Sequence, residues 1–456
     1  MAGAARLAAG TAAGTPAGGL PAPAILGAMT GPPTSDLLDD LRWRGLLFQT
    51  TEGLAEHLAA GPARVYCGFD PTAASLHVGN LLPIMGLVRL QQAGHRPVAL
   101  VGGGTGLIGD PSGKSAERQL NARATVEANT AAIRAQLARF LDFEGDSAAA
   151  VADNYEWLGA LNAVDFLRDV GKHFSVNVML AKESVRARME TGISYTEFSY
   201  MLLQAYDFVE LRRRLGVTVQ VGGSDQWGNI TAGTDLVRRM DGEQAHGLTF
   251  PLLTTSSGQK FGKTEAGAVW LDAERTSPYQ FFQFWMHAAD ADVGRLLRFY
   301  TLLPREELEE LDRATAERPA RREAQHALAY DTTGRVHGAE AARVAQQLSE
   351  LLFAKGDPHG LSPAAVGALS KEMPVAEVAR PGEGLGALDA VELFVAAGLA
   401  PSKGAGRRLL EQGGLTVSGR RLSADDRGVA DGDLLAGRYL LLRKGAREYG
   451  LVRVVG

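Results

Sequence analysis

One cysteine, Cys67, stands in a chain of 456 residues. No intrachain disulfide can form and a cysteine-rich zinc site is excluded, which points to a reducing, cytoplasmic setting. No uninterrupted apolar run approaches the roughly 18 residues a membrane-crossing helix needs. Charge is scarce at the front, where residues 1–35 hold only Arg6 among Ala, Gly and Pro. That stretch has neither the charged start and apolar core of a signal peptide nor the arginines of a transit peptide. A disordered tail over 1–34 is expected, and Met29 offers a second start. No internal repeat is present.

What remains is ample for several domains. Hydrophobic residues make up 45% of the chain and the net charge is −5, so the protein as a whole does not coat nucleic acid. The acidity is uneven. Residues 388–456 carry 11 Lys and Arg against 8 Asp and Glu, a basic end on an acidic body that suits local contact with a polyanion.

Short apolar runs at Arg64–Cys67, Pro97–Gly102, Thr218–Val221 and Phe250–Leu253 read as strands. Helical patterns separate them. Ser35 or Asp36 caps a first helix; others cover about 80–93, where Pro83 must stay near the N-terminus, and about 115–141. Strands alternating with helices predict a parallel sheet and a Rossmann-like α/β catalytic domain over 35–255, with a helical insertion near 157–199. A lysine-bearing loop over 256–277 follows, then an α-helical domain over 278–373. A Pro/Gly/Glu-rich linker is expected over 374–387, and a small α+β domain over 388–456.

Two elements suit phosphate. The loop Lys260-Phe261-Gly262-Lys263-Thr264 sets two lysines and a hydroxyl around a glycine, a grip suited to a departing pyrophosphate. Upstream, Gly68-Phe69-Asp70-Pro71-Thr72 leaves a strand and His77-Val78-Gly79-Asn80 enters a helix, where backbone N–H groups favour anions. An ordinary strand–loop–helix turn has the same spacing. Gly104 to Gly109 matches G-x-G-x-x-G, but Asp110-Pro111 follows at once, so the last glycine opens no helix and a dinucleotide oxidoreductase is disfavoured. Gly258 to Thr264 is one residue short of a Walker loop. Tyr200, Gln204 and Asp207 share a face of one apolar helix, and Gly222-Gly223-Ser224-Asp225-Gln226 follows a strand with Asp225 placed to accept from ribose. A water-facing helix edge and a capped turn are the plain alternatives.

Together, the runs Tyr66 to Thr72, Gly106 to Lys114, Phe198 to Asp207, Gly222 to Asn229 and Lys260 to Thr264 closely resemble the bacterial tyrosyl-tRNA synthetases, a class I family. The likeness spans about 37–454. It implies that tyrosine is activated with ATP, as a magnesium complex, and transferred to the 3′ end of tRNA(Tyr), with no protein-held metal. It implies further that Tyr66 and Asp207 bind the substrate phenol, that Asp110, Tyr200 and Gln204 bind its ammonium, and that Gln226 lies near its carboxylate. Thr72 and His77 would hold ATP phosphates, with Asn80 beside them in place of the usual second histidine. Cys67 and Asp225 would hold the ribose, with Gly68, Asp70 and Gly79 close by. Lys114, Arg118, Lys260, Lys263 and Thr264 would grip pyrophosphate.

The C-terminal unit resembles an RNA-binding domain of a ribosomal small-subunit protein, with Lys403, Arg407, Arg408, Arg420 and Arg421 as candidate phosphate contacts. A homodimer is implied, with Tyr195 near the subunit contact, and no membrane partner. Two other readings compete: a paralogue that binds RNA with weakened catalysis, hinted at by Asn80, and an adenylyltransferase for another acid, which would lack the Tyr66/Asp207 pair.

Overall fold

The computed structural model describes residues 37–112, 120–189, 192–254, 256, 261–264, 267–354, 356–425, 427–445 and 448–456. The expected tail and the Ser35 or Asp36 cap lie outside these residues. A helix runs over Leu37–Arg44.

The first half is built on six strands: β1 (Gln49–Thr50), β2 (Arg64–Phe69), β3 (Arg96–Val101), β4 (Ala150–Asp153), β5 (Val217–Gly223) and β6 (His246–Phe250). Their order is β1-β6-β5-β2-β3-β4. All neighbours pair in parallel except β1, which runs antiparallel to β6. The chain lays β3 and β4 outward from β2, then returns to place β5 on the other side of β2. That reversal opens a crevice at the C-terminal ends of β2 and β5, the place where open α/β sheets bind ligands. Alternation along β2 sends Tyr66 to one apolar cluster, with Phe208 and Trp157, and Cys67 to another, with Leu76 and Val78.

Several elements differ from the sequence reading. The strand expected from Phe250 ends there instead, as β6. Its start was hidden by Gly247, which the packing requires, since a Cβ would come within 2.3 Å of Ile230. β4 was not anticipated, because the alanine run 148–150 favours helix until pairing with β3 overrides it. The long helix expected over 115–141 spans Arg123–Leu137, preceded by extended backbone at Ala122. The helix after the first phosphate element begins at Val78 and runs to Gln92, with Pro83 inside it.

A two-stranded hairpin, β7 (Lys263–Thr264) and β8 (Gly267–Ala268), comes next. Helices Pro278–Met286, Asp290–Tyr300, Arg305–Glu317, Glu323–His337, Ala339–Ala354 and Pro363–Glu372 follow. Phe281, Phe282, Trp285 and Tyr300 extend the first domain's core into them. Within 374–387, where a linker is expected, β9 (Val375–Ala379) joins a sheet with β10 (Leu415–Val417), β11 (Arg420–Arg421), β12 (Tyr439–Lys444) and β13 (Glu448–Val455). The order is β11-β10-β12-β13-β9, and β9 pairs in parallel with β13. One face of this sheet packs Leu415, Leu440 and Val452 against helix Ala390–Ala396. The other packs Tyr439, Leu441 and Leu451 against Leu348, Leu351, Val366 and Leu369 of the helical domain. Among the described residues, no helix is long and apolar enough to cross a membrane.

Candidate active site

Asp207, on helix Tyr195–Leu215, is 2% exposed. Its oxygens accept from Trp157 Nε1 at 2.7 Å and Asn154 Nδ2 at 2.9 Å. Burial pushes its carboxyl up to about 8, and the Asp70 and Asp153 charges add to that; the two donated bonds oppose it. Tyr66 is fully buried on β2 with its ring edge-on to Phe208, centroids 5.1 Å apart. Burial first, then the nearby Asp207 charge, holds its phenol well above the usual range. The Tyr66 hydroxyl has no hydrogen-bond partner among the described residues. Buried hydroxyls are rarely left so.

The network continues from Asp207 towards the mouth of β2. Asn154 also donates to Thr105 Oγ1 at 2.9 Å, and Thr105 donates to Asp70 Oδ1 at 2.7 Å. Asp70 Oδ2 accepts the Tyr200 hydroxyl at 2.7 Å. The run Gly102 to Gly104 is glycine because this side of the site approaches so closely: a Cβ at Gly102 would lie 2.1 Å from Asp70 Oδ1, and one at Gly103 2.3 Å from Asp153 Oδ1. The G-x-G-x-x-G glycines answer to packing as well: a Cβ at Gly104 would lie 2.9 Å from Leu158 Cδ1, one at Gly106 2.9 Å from Pro71 Cδ, and Gly109 has φ +88.

A second network lies one turn along. Gln204 donates to Gln226 Oε1 at 3.2 Å, and Gln226 donates to Asp110 Oδ2 at 2.8 Å. Asn229 donates to Gln204 Oε1 at 3.0 Å and to Gln226 Oε1 at 3.2 Å. After burial, Asp70 and then Asp110 raise the Tyr200 hydroxyl, with a smaller push from Asp207. Three carboxylates thus surround one phenol on the helix face that spacing singled out.

The first phosphate element is a helix entrance. His77 is the N-cap, its Nδ1 accepting the Gly79 N–H at 3.0 Å, which leaves Nε2 as the ring donor. Asn80 Oδ1 accepts the His77 N–H at 3.1 Å. Thr72 is exposed. Gly68 is exposed too, and a Cβ there would meet nothing within 4 Å. Cys67 is buried, its thiol pushed up to about 12 by desolvation. Asp225 sits in the turn after β5, where a Cβ on Gly223 would come within 2.5 Å of its Oδ1.

The two signatures touch. Gly262 has φ +89, and a Cβ there would stand 3.3 Å from the Gly79 N. The hairpin that carries Lys263 and Thr264 returns Val269 O to accept the Val78 N–H at 2.9 Å. Lys114, Arg118 and Lys260 lie outside the described residues, as do the side chains of Lys263 and Thr264.

In the C-terminal unit, Arg407 and Arg408 are exposed on helix Lys403–Glu411. Lys403 pairs with Glu392, and Arg421 donates to Gly413 O at 3.0 Å. Arg420 is tied inside the domain, donating to Asp433 at 2.9 and 2.6 Å and to Gly428 O at 2.8 Å. Tyr195 is 71% exposed. Sequence reasoning missed Thr105, Asn154 and Trp157. Asn154 directly follows β4, so recognising that strand would have placed it at a ligand-binding strand end.

A family model for class I tRNA synthetases (W and Y) matches residues 58–354, and one for the tyrosine–tRNA ligase SYY-like C-terminal domain matches 366–452. A tyrosine–tRNA ligase of Anaeromyxobacter dehalogenans is 54% identical over 419 residues, covering 92% of this chain and 99% of that one. The chain belongs to the tyrosyl-tRNA synthetase family. Another tyrosyl-tRNA synthetase relative, from Bacillus caldotenax, is 53% identical over 422 residues, covering 92% and 99% of the two chains. Among solved tyrosyl-tRNA synthetases, a C-terminally truncated mitochondrial one from Aspergillus nidulans superposes with a TM-score of 0.64 at 32% identity, covering 70% of this chain and 94% of that one.

Proposed function

We propose a division of labour within the crevice for a tyrosine–tRNA ligase. The chain is that ligase by its family. The observation that carries the pocket assignment is the buried Tyr66 hydroxyl, which has no partner among the described residues, beside an Asp207 carboxyl already fixed by Asn154 and Trp157. A ligand phenol supplies the missing partner of the Tyr66 hydroxyl and adds a bond to the Asp207 carboxyl. The substrate ammonium enters among Asp70, Asp110 and Tyr200, where negative charge is concentrated, and Gln204 and Gln226 orient the amino-acid head.

ATP binds with magnesium as substrate, its ribose over Gly68 and near Asp225, its phosphates over the Val78–Gln92 helix entrance. The tyrosine carboxylate oxygen attacks the α-phosphorus and the bond to pyrophosphate breaks, giving tyrosyl-adenylate. Negative charge builds on the leaving group, and His77, Thr72, Lys114, Arg118, Lys260, Lys263 and Thr264 are the donors that meet it. The terminal ribose hydroxyl of tRNA then attacks the tyrosyl carbonyl and AMP leaves. No covalent enzyme intermediate is needed; positioning and charge placement do the work. Asn80 holds the His77 N–H in the capping box, so its presence lends no support to a weakened paralogue.

Arg407 and Arg408 contact tRNA phosphates, with Lys403 and Arg421 at the margin. Tyr195 belongs to a homodimer contact, for Val164, Leu167, Val176 and Val178 are also more than half exposed. The protein works in the cytoplasm. The test is ATP–pyrophosphate exchange with each of the twenty amino acids. Exchange is expected with tyrosine and nearly none with phenylalanine. Absence of tyrosine-dependent exchange, or equal exchange with phenylalanine, refutes the assignment.

A further inference from the structure

The Asp290–Tyr300 helix touches both signatures, and none of its residues has a role above. Near its start Asp292 is 7% exposed. Its two oxygens accept the Ser256 N–H at 3.1 Å each, and Oδ2 accepts the Ser256 hydroxyl at 3.0 Å. Arg295 donates to Thr254 O at 2.6 Å and to Asp292 Oδ1 at 3.2 Å. The backbone just ahead of the lysine signature is therefore gripped by this helix. At the far end the Tyr300 ring stacks on Phe261, the signature's second residue, with centroids 6.0 Å apart and planes 27° apart. Tyr300 is fully buried, and its hydroxyl lies 3.4 Å from Val78 O, at the entrance of the helix that bears the histidine signature. Arg89 of that same helix donates to the carbonyls of Arg298, Phe299 and Thr301 at 3.0, 3.1 and 2.6 Å.

A buried carboxylate is costly unless it is bonded. Asp292 stands in the first turn of its own helix, yet both its oxygens accept from Ser256 in another segment. A helix is a stiff body, so holding Ser256 at one end and Phe261 at the other sets where the lysine signature stands against Gly79. We infer that the Asp290–Tyr300 helix is a strut that fixes the lysine signature against the histidine signature, with Asp292 and Tyr300 as positioning residues for tyrosyl-adenylate formation. This rests on the reading that those signatures handle the ATP phosphates. Displacing reacting groups by about 1 Å costs on the order of a hundredfold in rate.

The experiment uses full-length Asp292→Ala, Asp292→Asn, Tyr300→Phe and Lys263→Ala. Each is measured in tyrosine-dependent pyrophosphate exchange and in single-turnover transfer from enzyme-bound tyrosyl-adenylate to tRNA(Tyr). Asp292→Ala is expected to lower the exchange kcat at least tenfold, with the KM for tyrosine within twofold and the transfer rate unchanged. Asp292→Asn, which keeps one accepting oxygen, recovers part of the loss, and Tyr300→Phe lowers exchange about threefold with the same split. Exchange within twofold of the parent in both Asp292→Ala and Tyr300→Phe overturns the strut. So does a parallel fall in exchange, tyrosine affinity and transfer, the mark of general unfolding. Should Asp292→Ala be insoluble, Tyr300→Phe decides alone. Loss of exchange in Lys263→Ala beside normal Asp292→Ala and Tyr300→Phe removes the strut only; normal exchange in Lys263→Ala removes the reading of the signatures beneath it.

Discussion

Tyr66→Phe deletes one oxygen from a fully buried ring, and its two expected effects have opposite sign. In the ligand-free protein that oxygen has no partner among the described residues, so removing it breaks no internal bond. The ring keeps its edge contact with Phe208. An unmade buried bond costs about 1–3 kcal/mol, less where water reaches the group. The ligand-free variant should therefore keep its unfolding free energy or gain up to about 1 kcal/mol. Tyrosine binding should suffer, because the substrate phenol loses one partner. A neutral hydrogen bond is worth about 0.5–1.5 kcal/mol net. At about 1.4 kcal/mol per factor of ten, kcat/KM for tyrosine falls by roughly 2- to 12-fold. Phenylalanine has no hydroxyl to miss, so its kcat/KM stays level or rises and discrimination narrows by at least the same factor. For this enzyme family the handicap of an analogue lacking the hydroxyl is a known case, about 10⁵ in total, so one oxygen carries only part of it. Urea denaturation and pyrophosphate exchange with both amino acids measure the two effects. A variant destabilised by more than about 1 kcal/mol would mean that the hydroxyl is bonded inside the protein. Unchanged discrimination would mean that the substrate phenol lies elsewhere.

Three further outcomes follow from the same geometry. Asp207 titrates near 8 in the fold and in the ordinary carboxylate range when unfolded; between those values the native state holds a proton that the unfolded chain has lost. Its contribution to stability is thus full below the ordinary range and is lost as pH rises through about 8, by at most about 1.4 kcal/mol per unit. Asp207→Asn should shrink the stability difference between pH 5 and pH 8 in the ligand-free protein, and an unchanged difference would show that Asp207 ionises normally. Arg420→Ala should destabilise the C-terminal domain, since it leaves Asp433 buried without its guanidinium partner; a domain that melts as before would contradict that tie. Arg407→Ala and Arg408→Ala should leave the melt alone and weaken tRNA binding, each lowering the salt slope by about one; a filter-binding slope equal to the parent's would remove them from the interface.

The parts of the fold legible in the chain are those where local and tertiary preferences agree. Val65-Tyr66-Cys67 is an apolar run at home in a parallel strand, and the spacing of Tyr200, Gln204 and Asp207 states their shared face outright. Asn154 and Trp157 were not legible, because their importance depends on β4, whose alanines favour the opposite structure until a neighbour pairs with them. The glycines of the Gly104 to Gly109 run are visible but misleading: sequence shows that a side chain is missing, not that Leu158 and Pro71 take its place. Arg420 shows the same limit, since an exposed-looking basic residue in a turn is indistinguishable from one paired with a distant Asp433. The extent of β9 was hidden by its setting, a strand inside a stretch rich in breakers that pairs with residues more than seventy positions away.

The placement of β9 bears on how this protein can be cut. Its strand closes the edge of the C-terminal sheet, and helix Pro363–Glu372, immediately before it, covers the sheet's second face through Val366 and Leu369. A fragment begun at residue 388 would bare the rim of β13 and strip the cover from Tyr439, Leu441 and Leu451, inviting self-association. One begun at Ser362 carries both its rim and most of its lid. The C-terminal module is therefore no bead on a string; its natural seam lies upstream of the prolines and glycines that look like a hinge.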